Sequence, residues 1–352
     1  MKSSFLALLL SALVGLSACA PAPTAAPTQP AATDIPTATE PAVTAEPVHL
    51  KVGVLNFMSH LPLYIASEEG YFAEQGLDVE FVSFGANDGD IVPSLVGGQL
   101  DVGATTMRTS TFSAIEQGAA VKFVAERTFT DPQASCGTDV LMVATSVDLA
   151  ALEDRSALRG MKMTSGTGTL AALINDRLFE EGGLTAADVE FVDVRDFASR
   201  VEALRAGTLE ITTLSEPWAT RALTSGAGKI WMTYAEAFPN FPVGTIMFGE
   251  SMLTREDDVP ARFLAAYLKG VERYRLGKTD ENVAVAESVT QLPAEEIRSM
   301  CWPAFRADST IDEAATMEFQ EWAVQSGQLG AVLPFEQIYD PSYLEQAASL
   351  LK

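Results

Sequence analysis

Apolar positions along this chain alternate between two rhythms: short β-branched runs that read as strands, and stretches with helical spacing. Lys51-Val52-Gly53-Val54-Leu55 predicts a first strand. Asn56 to His60 then leads into a helix with Pro62 in its first turn and Tyr64, Ile65 and Ala66 inside, ended by Gly70. A strand over 79–84, a helix carrying Ile91, Leu95 and Val96, a strand opening at Val102-Gly103-Ala104, a helix over 109–117 and a strand over 121–125 follow. The run 140–144 reads as a strand leaving this first lobe, and 148–158 as a connector. The pattern then restarts with strands over 161–164, 189–194 and 211–214 and a helix over 169–180, and 245–248 returns to the first lobe. Beyond that the chain is helical. Phe263, Leu264, Tyr267, Leu268 and Val271 share one face after Asp257, Asp258 and Pro260, and Ile311, Ala315, Phe319 and Trp322 share another. Strands alternating with helices of this length predict mostly parallel sheets.

The restart is also a repeat of residues. Gly76-Leu77-Asp78-Val79-Glu80-Phe81-Val82 returns as Gly183-Leu184 and Asp188-Val189-Glu190-Phe191-Val192. Ser94-Leu95-Val96-Gly97-Gly98-Gln99-Leu100-Asp101 returns as Ala203-Leu204-Arg205-Ala206-Gly207-Thr208-Leu209-Glu210. Order and spacing are both kept, which predicts two similar α/β lobes with a ligand cleft between them.

The first 48 residues lie outside that pattern. Lys2, an apolar run from Phe5 to Val14 and Leu16-Ser17-Ala18-Cys19 read as a secretion signal over 1–18. The Leu-Ser-Ala-Cys ending resembles a bacterial lipobox, which implies lipid attachment at Cys19. Residues 19–48 then read as the lipidated Cys and an extended tether rich in Ala, Pro and Thr. The net charge of −24 argues against nucleic acid as a partner. With Cys19 lipidated, Cys136 and Cys301 remain as an even pair outside the cytoplasm; a disulfide and two separate buried thiols both stay open.

Little in the sequence points to catalysis. Only His49 and His60 are present, no His/Cys cluster has metal-ligand spacing, and no Gly-x-Ser-x-Gly elbow occurs. Ser165-Gly166-Thr167-Gly168-Thr169 is Gly-rich and opens a helix but lacks the Lys of a nucleotide loop. No cofactor and no metal are expected. In parallel α/β sheets, ligands sit beyond the carboxyl ends of the strands, where helix N-termini also point. That rule selects the loops at 56–60, 85–88, 105–108, 126–128, 165–169 and 215–218. The candidate ligand-binding residues within them are Asn56, Phe57, His60, Asn87, Thr106, Arg108, Ser165, Gly166, Thr167, Glu216 and Trp218.

Leu61-Pro62-Leu63-Tyr64-Ile65-Ala66, Gly70-Tyr71-Phe72, Gly76-Leu77-Asp78-Val79 and Gly97-Gly98-Gln99-Leu100-Asp101 together resemble solute-binding proteins of ABC importers. The branch is the one for nitrate, taurine, aliphatic sulfonates and thiamine-type pyrimidines. Leu158-Arg159-Gly160-Met161-Lys162, Glu216-Pro217 and Tyr339-Asp340-Pro341-Ser342-Tyr343-Leu344 extend the likeness over nearly all of 49–352. It implies a type II periplasmic-binding-protein fold, α/β, with two crossover segments. Lobe one would be 49–145 with 246–352, which brings the return and the C-terminal helices, and lobe two 146–245. It also implies a monomer that captures a small-molecule solute by lobe closure and hands it to a membrane permease and its ATPase. The expected location is extracytoplasmic, with the Cys19 lipid in the membrane. The aromatic residues Phe57, Phe84, Trp218, Tyr234, Phe238 and Phe241, with Glu216 as an acceptor, favour a flat heterocycle such as a thiamine-precursor pyrimidine or a flavin. A sulfonate, taurine or nitrate-like anion is the alternative. Two rivals of another class are a pyrimidine-precursor synthase using His60 and a sensor module without a permease.

Overall fold

The short apolar runs at 102–105, 123–128 and 140–144 become strands with every residue buried, as central strands between helices require. The computed structural model describes residues 46–85 and 88–352; the signal, the tether up to residue 45, Cys19 and Asn87 lie outside the described residues. Among the described residues ten strands form two five-stranded sheets. They are β1 (Val48–Val54), β2 (Leu77–Ser83), β3 (Val102–Thr106), β4 (Lys122–Phe129), β5 (Asp139–Ala144), β6 (Lys162–Met163), β7 (Glu190–Phe191), β8 (Ile211–Ser215), β9 (Gly228–Thr233) and β10 (Pro242–Phe248).

The first sheet runs β2-β1-β3-β10-β4 and the second β7-β6-β8-β5-β9. In each, β-pairing is parallel except at one strand: β10 is antiparallel to β3 and β4, and β5 is antiparallel to β8 and β9. These exceptions are the two strands that enter from the other lobe, so each arrives pointing the opposite way. The expectation of mostly parallel sheets therefore holds apart from the crossing strands.

The pairing also corrects the expected lobe boundary at residue 145. Strand β5 belongs to the second sheet, so the first crossing is 130–138, between β4 and β5, and the second is 234–241, between β9 and β10. An apolar run reveals that a strand exists but not which sheet it joins. The expected loop 126–128 is likewise strand: β4 pairs with β10 along its length, as far as Phe129 with Pro242.

The repeat seen in sequence is a repeat of structure. Asp101 accepts from the Lys51 backbone N–H at 2.8 Å, and the Asp101 N–H returns a bond to the Lys51 carbonyl at 2.9 Å. In the second lobe Glu210 accepts from the Lys162 N–H at 2.9 Å, and its own N–H reaches the Lys162 carbonyl at 2.8 Å. Each carboxylate thus ties the turn before one strand, β3 or β8, to the strand beside it, β1 or β6.

The predicted face of the Val259–Arg275 helix is buried, with Phe263, Leu264, Tyr267 and Val271 fully inaccessible. It packs on the Leu61–Glu68 helix, where Gly270 passes so close to the Pro62 carbonyl that an added Cβ would lie 2.2 Å from it. A second apolar cluster runs without a break from the first lobe into the second. Its spine is a row of rings: Phe123 on β4, Phe112, Phe319 of the Glu313–Gln325 helix, Phe241 and Phe238, with centroids 5.2 to 6.1 Å apart. Arg177 of the second lobe closes the row, its guanidinium 4.4 Å from the Phe238 ring centre.

Cys136 and Cys301 form a disulfide, with their Cα atoms 6.0 Å apart. It joins the first crossing to the C-terminal part of the first lobe.

Candidate functional site

The two helices that follow β3 and the Gly-rich loop bring their N-termini together across the lobes. Arg108 is the N-cap residue of the Thr109–Glu116 helix, and Thr169 is that of the Leu170–Glu181 helix; neither helix end carries a side-chain cap. The Thr109 N–H donates to the Gly168 carbonyl at 3.0 Å, a backbone bond from the first lobe to the second. Gly168 has φ +75°, and a Cβ there would sit 2.9 Å from Thr109 Oγ1, so only glycine allows this approach. Two positive helix ends, led by the half-buried N-cap residues Arg108 and Thr169, therefore meet across the lobes.

Around that region the expected loops contribute unequally. Thr106 and Arg108 are half-buried where β3 ends. Ser165 and Gly166 are half-buried and Thr167 is exposed, with Thr167 Oγ1 donating to Ser165 Oγ at 3.1 Å. Asn56 is exposed at the end of β1, where its Oδ1 accepts from Tyr64 and Ser83 at 3.0 and 3.1 Å. Phe57 is half-buried against the shared core.

Three expected ligand residues are placed otherwise. His60 is fully buried under the cleft. Its Nε2 donates to the Ala104 carbonyl at 3.3 Å and its Nδ1 lies 3.3 Å from Arg127 Nη1, an arrangement that suits a neutral ring. Burial first, and the Arg127 charge second, hold its pKa well below the usual histidine value. Glu216 is also buried, and its carboxylate accepts from Thr220 N–H, Thr220 Oγ1 and the Cys301 N–H at 3.1, 2.8 and 3.0 Å. It caps the Trp218–Thr224 helix and reaches the first lobe. Trp218 lines an open hollow between that helix and the Phe197–Ala206 helix, with Arg221 stacked 4.8 Å over its ring. Tyr234, Phe238 and Phe241, counted on sequence among nearby aromatics, are core residues. Helical and loop spacing placed these side chains near the strand ends but did not reveal which way each faces.

Below the strand ends lie Arg127, a candidate donor from the expected loop at 126–128, and Asp139, which the sequence did not single out. Arg127 is buried on β4, its Nη2 donating to the Thr105 carbonyl at 3.3 Å and its Nη1 to the Ser59 carbonyl. Gly244 leaves it room, since a Cβ there would lie 2.9 Å from Nη2. Across the lobes, Asp139 accepts from Ser215 Oγ at 2.5 Å and from Thr138 Oγ1 at 3.3 Å. Burial raises the Asp139 pKa, while the two hydroxyls and then the Arg127 charge pull it down. No sequence signal marks Asp139 beyond its place before an apolar run. Among the described residues no group of His, Cys, Asp and Glu could hold a metal ion.

Two α/β lobes joined by two crossings, with polar groups at the facing strand ends, define the fold class of periplasmic solute-binding proteins. The chain belongs to the NMT1-like family, whose model matches residues 43–290. It is 22% identical over 307 residues to the putative binding protein YtlA of Bacillus subtilis, covering 84% of this chain and 88% of that one. Its fold is similar to that of the periplasmic aliphatic sulphonate binding protein SsuA of Escherichia coli, with TM-score 0.68, 15% identity and coverage of 84% and 93% of the two chains. The nitrate-binding protein NrtA of Synechocystis PCC 6803 gives TM-score 0.65, 18% identity and coverage of 87% and 90%.

Proposed function

We propose that this chain is the solute-capturing component of an ABC importer and that its solute is a small molecule bearing an oxyanion, an alkanesulfonate being the leading example. The observation that carries the reading is the meeting of the Thr109 and Leu170 helix N-termini beside Arg108, with Thr109 N–H bonded to Gly168. Helix ends with no side-chain cap, together with a guanidinium, suit an anion that spreads its charge over several oxygens. The sulfonate and nitrate named for SsuA and NrtA are anions of that kind.

The aromatic residues of the sequence favour a flat heterocycle. Trp218 lies in a hollow between helices, and Phe238 and Phe241 lie in the core, which leaves Phe57 and Phe84 half-buried near the cleft loops. The synthase reading needed a reactive His60, and that ring is buried with both nitrogens engaged. In the proposed role Cys19 carries a lipid, the chain from residue 20 to the start of β1 at Val48 tethers the lobes outside the cytoplasm, and the monomer delivers solute to a permease and its ATPase.

The test is native mass spectrometry of the protein purified from its own host, followed by thermal shift with alkanesulfonates, nitrate and aminopyrimidines. A ligand that binds only the folded state raises the melting temperature. Stabilisation by sulfonates or nitrate is expected. Stabilisation by aminopyrimidines with no response to oxyanions would overturn the reading.

A further inference from the structure

We infer that Glu216 is a positioning residue for lobe closure, coupled through Cys301 to the disulfide at the first crossing, and not a contact to the solute. The inference rests on reading the cleft as a closing solute site. Glu216 follows β8 in the second lobe, whereas Cys301 belongs to the segment that packs on the first. That packing is explicit: Ala304 bridges to Phe129 of β4, Trp302 stacks on Tyr274 with centroids 5.3 Å apart, and Phe305 meets the same ring edge-on at 4.6 Å. The 3.0 Å bond from the Cys301 N–H to Glu216 Oε1 is therefore a bond between lobes.

The carboxylate has little left to offer a ligand. Oε1 takes both the Cys301 N–H and the Thr220 hydroxyl, Oε2 takes the Thr220 N–H, and the residue is 9% exposed. Its own N–H donates to the Thr138 carbonyl at 3.0 Å, so Glu216 touches the first crossing as well. Cys301 is held in place by its bond to Cys136, two residues before Thr138. One turn along the same helix, Arg221 pairs with Glu296 of the Ala294–Ser299 helix through both carboxylate oxygens, the longer contact being 3.1 Å. The crossing, the first lobe and the second lobe thus converge on one carboxylate. Opening the lobes must pull Glu216 from Cys301 or drag the disulfide with it. A contact that opening would break favours closure in the solute-free protein as well.

Hydrogen exchange of the backbone amides tests this in the oxidised, solute-free protein, so the result does not depend on which solute binds. Glu216→Ala is expected to raise exchange at the Cys301 amide about tenfold or more, with amides of the Val259–Arg275 helix unchanged. Glu216→Gln keeps an acceptor oxygen within reach of Cys301 and is expected to retain its protection, even though it loses part of the helix cap. Replacing both cysteines with serine is expected to raise exchange at position 301 to a similar degree. Adding Glu216→Ala to that variant should then change little, because the two act through one contact. Faster exchange confined to the Trp218–Thr224 helix would overturn the inference and leave Glu216 as a cap alone, and so would full additivity of the two changes. Titrating each protein with propane-1-sulfonate separates the two readings. A wild type that shows the exchange pattern but ignores the sulfonate overturns the proposed solute and leaves the closure contact standing.

Discussion

Thr130 and Phe241 join the two crossings to each other. The Thr130 N–H donates to the Phe241 carbonyl at 3.0 Å, and the Phe241 N–H donates to Thr130 Oγ1 at 2.8 Å. The same hydroxyl donates to the Phe238 carbonyl at 2.6 Å, and the Asn240 N–H reaches the Thr130 carbonyl at 2.8 Å. These four bonds tie the segments between the lobes to each other. Thr130→Val keeps the side-chain shape and leaves a buried N–H and a buried carbonyl short of a partner. It should cost roughly 1–3 kcal/mol in urea unfolding. A loss near zero would mean the crossings are held elsewhere.

A second tie runs through the Glu313–Gln325 helix. Trp322 Nε1 donates to Asp176 at 2.8 Å, Arg177 pairs with Glu318 beside it, and Phe319 fills the space between Phe112 and Phe241. Phe319→Ala should cost roughly 3–5 kcal/mol, and Trp322→Phe about 1 kcal/mol, because that contact is only half-buried. Circular dichroism and tryptophan fluorescence should report one shared unfolding transition in the wild type. Two transitions in Phe319→Ala would show that this ring couples the lobes.

Gly168 sets how closely the lobes approach. Gly168→Ala puts a Cβ 2.9 Å from Thr109 Oγ1 at a left-handed backbone position. The backbone cost alone is about 1–2 kcal/mol. With propane-1-sulfonate present, small-angle scattering should show this variant staying more open than the wild type. Equal compaction of the two proteins would remove Gly168 from the closure contact.

His60 predicts an acid-side loss of stability. Above about pH 6.5 the ring is neutral in both folded and unfolded chains. Below it the unfolded chain binds a proton that the buried ring, with its lowered pKa, does not take up. Stability from this group is present above that pH and falls as pH drops, by up to ~1.4 kcal/mol per pH unit. Urea unfolding between pH 7.5 and 5 should show a shallower slope in His60→Asn than in the wild type. Equal slopes would contradict the assignment of His60 as a buried neutral ring.

The sequence carried the lobes more plainly than the site. Repetition of Asp101 and Glu210 in matching turns marks two copies of one unit, and the same carboxylate-to-strand bond recurs in both. Periodicity located β1 to β4 and the Phe263 face for the same reason: burial acts on spacing that can be counted. It could not say that β5 joins the second sheet, because a central strand is apolar whichever neighbours it has. Loops were the weakest reading. Arg108 and Ser165 lie where strand ends predict, but Trp218 and Glu216 face helices and the other lobe, and only the path of the chain fixes that direction. Thr130 left no trace, since a threonine that serves two crossings is chemically ordinary.

Isothermal titration of the wild type and Arg108→Gln with propane-1-sulfonate and with a neutral aminopyrimidine bears most directly on the proposed solute. A saturable response to the sulfonate alone, weakened about tenfold or more in Arg108→Gln, is the predicted result; tenfold corresponds to about 1.4 kcal/mol. Binding of the aminopyrimidine without the sulfonate, or a sulfonate affinity indifferent to Arg108, would contradict it.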